Sequence, residues 1–211
     1  MRLLLVLSLA FPLIGQEVVS WKPQMDHIFQ NGRFWFKAAN QDDTLRATVS
    51  VVHKDEWMEA WVVVDNRSDQ DIDFRPSDCT MALVSPKQRN LLKIDPDRLS
   101  AWILNGRGQA FGRALDRFGA ANLDNPLYGD KQRAEEARQR IREQQLGDQR
   151  DAEWVRENGF RTQTLEHGQT ARGIVFFQPE RACAGSCEVM LRVPMAPPVF
   201  EFPATFQSQR K

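Results

Sequence analysis

Apolar residues alternate with polar ones at period two in two separate stretches of the chain, and a charged stretch with helical spacing lies between them. In the first stretch, Leu45, Ala47, Val49 and Val51 share one face of the segment from Thr44 to His53. Lys54, Asp55 and Glu56 then supply a polar turn. The run from Trp57 to Val64 follows and ends at the turn-forming residues Asp65, Asn66, Arg67 and Ser68. The spacing predicts an antiparallel hairpin. Its second strand is apolar on both sides. Met58, Ala60, Val62 and Val64 line one face, and Trp57, Trp61 and Val63 line the other, interrupted only by Glu59. A strand with one wet face alternates cleanly, so this one is expected inside a sheet with both faces covered.

Shorter strands are predicted at Arg33 to Ala38, Ile72 to Arg75 and Thr80 to Val84, with Pro76 to Asp78 and Ser85 to Lys87 as breakers. The second β-rich stretch holds a strand within Gln169 to Gln178, another from Cys187 to Val193, and a last one carrying Phe200, Phe202, Ala204 and Phe206 on one face. Seven or eight short strands separated by turns predict a mainly β fold, an antiparallel β-sandwich.

Residues 96–160 read as a helical insertion between strands. Asp95 at the cap and Pro96 at the first helical position are a start signal, and Leu99, Trp102 and Ile103 share a face. A second helix is expected from Asp130 to Gln145, with Ala134, Ala137 and Ile141 as a narrow apolar stripe and Glu136 four residues before Arg140. Asp151 to Asn158 extends it, with Trp154 and Val155 pointing inward. The expectation is that this insertion, led by Trp102, covers the Trp57 and Trp61 face of the central strand.

The N-terminus changes the expected address of the chain. Arg2 precedes an uncharged apolar run from Leu3 to Ile14, and the small Gly15 follows. This is the three-part pattern of a signal peptide over residues 1–15, leaving residues 16–211 as a single mature domain. The run is about 12 residues, whereas a spanning helix needs about 20. The mature chain is therefore expected to be exported, periplasmic or extracellular, and bacterial, with no transmembrane segment. Across the whole chain 28 Lys and Arg balance 28 Asp and Glu. That balance argues against a nucleic-acid partner and against general attraction to anionic membranes. Much of the charge sits in the helical stretch, with mixed signs that read as a solvated face.

Two strand regions carry a resemblance. The run Val62 to Ser68, ending in Asn66-Arg67-Ser68, is followed by Ile72 to Asp78 with an aromatic, a Pro and an Asp. Later, Gln169 and Thr170 precede Gly173-Ile174-Val175-Phe176-Phe177, with His167-Gly168 where the pattern has Pro-Gly. Both are similar to bacterial secreted immunoglobulin-like domains. The resemblance covers the β portions only and implies an immunoglobulin-like sandwich. Many such domains have no assigned biochemical role, so it carries over no functional residues.

The chemistry-bearing residues point to no catalytic constellation. Cys183 and Cys187 flank a three-residue turn containing Gly185, and a disulfide there contributes roughly 2 kcal/mol. Pairing Cys79 with either one closes a loop of about 105 residues and contributes up to about 4.7 kcal/mol. Both pairings are open. Cys183 and Cys187, with Met190 and Met195 close by, also permit an envelope copper-binding or thiol-redox protein. His27, His53 and His167 are isolated, and no nucleophile elbow or zinc-hydrolase spacing occurs. The glycines around Asn105 to Gly112 match no phosphate loop, and the Asn66 sequon reads as a turn. Trp57, Trp61 and Trp102 are candidate binding aromatics, which admits a carbohydrate-binding module. The expected function is an exported, non-enzymatic module that needs no cofactor and binds an unknown protein or small ligand.

Overall fold

A computed structural model describes residues 18–20, 26–54, 56–85, 88–107, 129–178, 186–195 and 198–207. The predicted signal sequence, Trp21 and Cys183 lie outside the described residues. The chain is mainly β, with antiparallel sheets. In chain order the strands are β1 (Val18–Ser20), β2 (Asp26–Gln30), β3 (Arg33–Ala39), β4 (Leu45–His53), β5 (Met58–Asn66), β6 (Ile72–Phe74), β7 (Thr80–Ser85), β8 (Arg89–Asn90) and β9 (Lys93–Ile94). Helix α1 (Pro96–Trp102), a single π turn (Ile103–Arg107) and helix α2 (Gly129–Asn158) follow. The chain then forms β10 (Gln163–Leu165), β11 (Thr170–Phe177), β12 (Ser186–Pro194) and β13 (Val199–Gln207).

The strands form a five-stranded sheet in the order β1-β13-β12-β7-β8, a six-stranded sheet in the order β2-β3-β4-β5-β11-β9, and a small β10-β6 pair. The predicted hairpin is present, with Leu45 opposite Asn66 and His53 opposite Met58. β5 is internal, flanked by β4 and β11. One core joins the two large sheets. Phe36, Val49, Val62 and Val64 come from the six-stranded sheet, and Met81, Leu83, Leu191 and Phe202 come from the five-stranded one.

The described residues hold more strands than the seven or eight expected. The expectation leaves out β2, although Asn31 and Gly32 adopt the positive φ values, 54° and 72°, that turn a two-residue hairpin loop. The strand before them carries no alternation because all five of its residues are exposed.

A second apolar cluster lies on the opposite face of the six-stranded sheet. Trp57, Ile174 and Phe176 from the sheet side meet Leu99, Ile103, Ala152 and Val155 from the helices, with Trp61, Ile94 and Trp154 packed around them. Asp95 caps α1 by accepting from the amides of Asp97 and Arg98, at 3.0 and 3.2 Å. Arg156 of α2 donates to the buried Ser100 hydroxyl of α1 at 3.0 Å, which ties the helices together.

One expectation about the helices needs correction. Trp102 does not lead the cover over β5, since it is 45% exposed while Leu99 and Ile103 point inward. The aromatic in that role is Trp154. The second helix runs from Gly129 to Asn158, and the expected extension over Asp151 to Asn158 joins it without a break through Gly147. Its inward contacts are made mainly by Asp148, Ala152 and Val155, whereas Ile141 is only half-buried.

At its end α2 meets the sheet through two glycines. Gly159 pairs with Ile174, and the Phe160 amide donates to the Ile174 carbonyl at 2.9 Å. A Cβ on Gly173 would lie 2.1 Å from Phe160 Cδ2 and 2.6 Å from its Cα, so only glycine admits this approach.

Candidate functional site

Trp57, Glu59 and Trp61 occupy positions i, i+2 and i+4 around the start of β5, so their side chains share the outer face of the six-stranded sheet. Glu59 is the middle member. Its neighbours across the sheet are Val52 on β4 and Phe176 on β11. Apolar flanks and the overlying helices leave it 1% exposed. The Trp57 indole N–H donates to Glu59 Oε1 at 3.1 Å, and the Trp61 indole N–H donates to Oε2 at 3.0 Å. Each carboxylate oxygen thus holds one indole. These are its only bonding partners among the described residues, and neither is charged.

More distant segments complete the site. Arg33, at the start of β3, places its guanidinium carbon 4.1 Å from the Trp61 ring centroid. Trp154 of α2 packs against Trp61 with ring centroids 5.9 Å apart, and its edge meets Phe176 at 6.5 Å. Between sheet and helix these side chains leave a cleft of about 660 Å³, lined by Arg33, Lys54, Glu56, Trp57, Glu59, Asp151 and Trp154. That volume lies within the range of small-molecule sites. Glu59 and Trp57 are buried in its floor, while Lys54, Glu56 and Asp151 are exposed at its rim. A smaller hollow of about 320 Å³ lies near Pro76 and Lys93. There the Lys93 ammonium is already engaged by the carbonyls of Pro76 and Ser77.

Of the three candidate aromatics, the structure brings Trp57 and Trp61 together and leaves Trp102 out of the cleft. Neither of the paired rings offers an open platform for a sugar. Trp57 is buried, and Arg33 already stands over Trp61. Glu59, Arg33 and Trp154 were not among the sequence candidates. For Glu59 the signal was present: one charged residue on an otherwise apolar strand face, two positions from a tryptophan on either side. Arg33 carries no such local signal, and Trp154 is marked only as an inward-pointing position of the helix.

The sulfur residues are separated from this site. Cys79 is a free thiol buried in the main core. Burial pushes the Cys79 thiol up to about 12, against a partial opposing pull from Lys93. Cys187 is buried at the start of β12 and is not a free thiol. Met195 packs in the same core. Among the described residues no three His, Cys, Asp or Glu side chains gather as metal ligands.

Asn66 settles the sequon. It is fully buried, and its amide donates to the carbonyls of Gln70 and Leu165 at 2.7 and 2.8 Å. Its oxygen accepts from the Ser68 amide and hydroxyl at 3.0 and 2.6 Å. A side chain engaged in this way pins a turn and has no room for a glycan. No described helix is long and apolar enough to cross a membrane. Comparison with protein-family models, with curated proteins and with solved structures returns no match, so the reading of this cleft rests on its geometry.

Proposed function

We propose that the mature chain is an exported, immunoglobulin-like β-sandwich module, carrying a helical insertion, that binds a ligand in the cleft between β5 and α2. The observation that carries this reading is the cleft itself: a small-molecule-sized space floored by a buried carboxylate and aromatic rings. The two-sheet core supports the sandwich, and the segment between β9 and β10 supports the insertion. Export rests on the apolar run behind Arg2. Binding without turnover fits a site whose one buried acid is held by two indoles, with no Ser, Thr, Cys or His among the lining residues.

A screen of small polar and aromatic fragments tests this reading, followed through the indole N–H resonances of all six tryptophans. Ligands should shift Trp57, Trp61 and Trp154 together, and Trp154→Ala should weaken their binding at least about tenfold. Hits that move only Trp102, or sustained turnover of a ligand, would overturn it.

The copper or thiol-redox reading requires two reactive thiols at Cys183 and Cys187. We favour instead a Cys183–Cys187 disulfide, because Cys79 is free and Cys187 is not.

A further inference from the structure

We infer that the ligand of this cleft is an organic cation, bound by an ammonium or guanidinium group set against Glu59 and the tryptophan faces. The inference rests on the reading of the cleft as the ligand site.

The charge distribution gives the first argument. At the rim Arg33 and Lys54 offset Glu56 and Asp151, and the exposed members of this set act through water, where each charge counts for little. The floor is different. Glu59 is buried, so its charge acts through a medium in which electrostatic interactions are several times stronger. A carboxylate offers about four lone-pair sites. The two indoles take one on each oxygen, which leaves acceptor capacity on a group that lines the cleft. Burying a carboxylate with only neutral donors is costly, and a cation entering the cleft offsets that cost.

The aromatic surface gives the second argument. Tryptophan is the side chain best suited to cation–π contact, and the guanidinium of Arg33 already stands 4.1 Å over Trp61. The chain's own cation thus occupies one ring of the cluster. The half-exposed Trp154 lines the cleft beside it, and Trp57 is buried in the floor. An anion would meet the Glu59 carboxylate and the negative ring faces, and a neutral ligand would leave the carboxylate without a counter-charge.

Three probes that share one aryl-alkyl body separate the alternatives: phenethylammonium, 2-phenylethanol and 3-phenylpropionate, each titrated into the full mature chain and read at the Trp57, Trp61 and Trp154 indole resonances. Phenethylammonium should bind at least about tenfold tighter than the alcohol, and Glu59→Gln should bring the two within about threefold of each other. Arg33→Ala, in the outlying β2–β3 hairpin, keeps the test informative if Glu59→Gln does not fold. Removing that competing cation should tighten phenethylammonium about threefold relative to the alcohol. Ammonium affinity that, relative to the alcohol, is unchanged or weaker in Arg33→Ala overturns the inference. So does alcohol or carboxylate binding as tight as the ammonium, and in that case the cleft reading stands. If none of the three moves these resonances the cation inference also falls, and the fragment screen decides the cleft separately.

Discussion

Glu59 shows how a single residue takes its meaning from its neighbours. On an isolated strand it would interrupt an apolar face; here it is the acceptor that orients two indoles. Gly173 is fixed in a comparable way by what lies across from it. Its missing side chain lets the Phe160 backbone approach, so Gly173→Ala should cost about 3 kcal/mol in urea denaturation, with no low-cost rearrangement because the Phe160 Cα itself is in the way. Cys79 is set by burial. A thiol held near 12 is protonated at pH 8 and also shielded, so iodoacetamide should leave it unlabelled in the native protein. Denaturation without reductant should then add one label, and denaturation with reductant should add three. Two or three labels without reductant would remove the Cys183–Cys187 bridge and revive the thiol-redox reading.

At the scale of elements, α2 is a long helix that packs through only part of its length. From Arg142 to Leu146 the helix is exposed, and inward contacts resume at Asp148, Ala152 and Val155. Gly147 sits at that transition, in the helix interior, and a Cβ there would meet nothing within 4 Å. Gly147→Ala should therefore stabilise the protein by about 0.5–1 kcal/mol, seen as a raised melting temperature. A decrease would mean that the site needs the freedom of glycine. The strands are where the sequence was most readable. β4 and β5 carry their main-core residues at period two, Leu45 to Val51 and Met58 to Val64, because alternate positions face the same side of the sheet. β2 and the two-residue strands β8 and β9 gave no such pattern, being exposed or too short to express a period. Trp102 illustrates the limit for helices. It shares a helical face with Leu99 and Ile103 on paper, yet a rotation of one position about a short helix turns it to solvent.

At the scale of the molecule, β5 and β11 bear two cores at once. Val62 and Val175 face the main core, while Ile174 and Phe176 on β11 and Trp57 beside β5 face the helices. The helical layer and the sheets are therefore built on the same two strands, and they should unfold together. Tryptophan fluorescence, to which Trp57, Trp61 and Trp154 of the second core contribute, and far-UV circular dichroism should give coincident denaturant transitions. An earlier fluorescence transition would show that the helices detach first and that the cleft is a separable layer.

The sequence by itself determined the features that depend on local period and local chemistry. These are the strand faces, the β4–β5 hairpin, the Asp95 cap and the need for something to cover Trp57 and Trp61. Periodicity reports which side of an element is buried, because that is a property of neighbouring residues. The tertiary structure alone decided what does the covering and what remains open. Arg33, Glu59 and Trp154 lie in three separate stretches of chain, and only strand pairing and the docking of α2 bring them to one cleft. No local pattern encodes that convergence, since it depends on register and on helix rotation relative to a distant sheet.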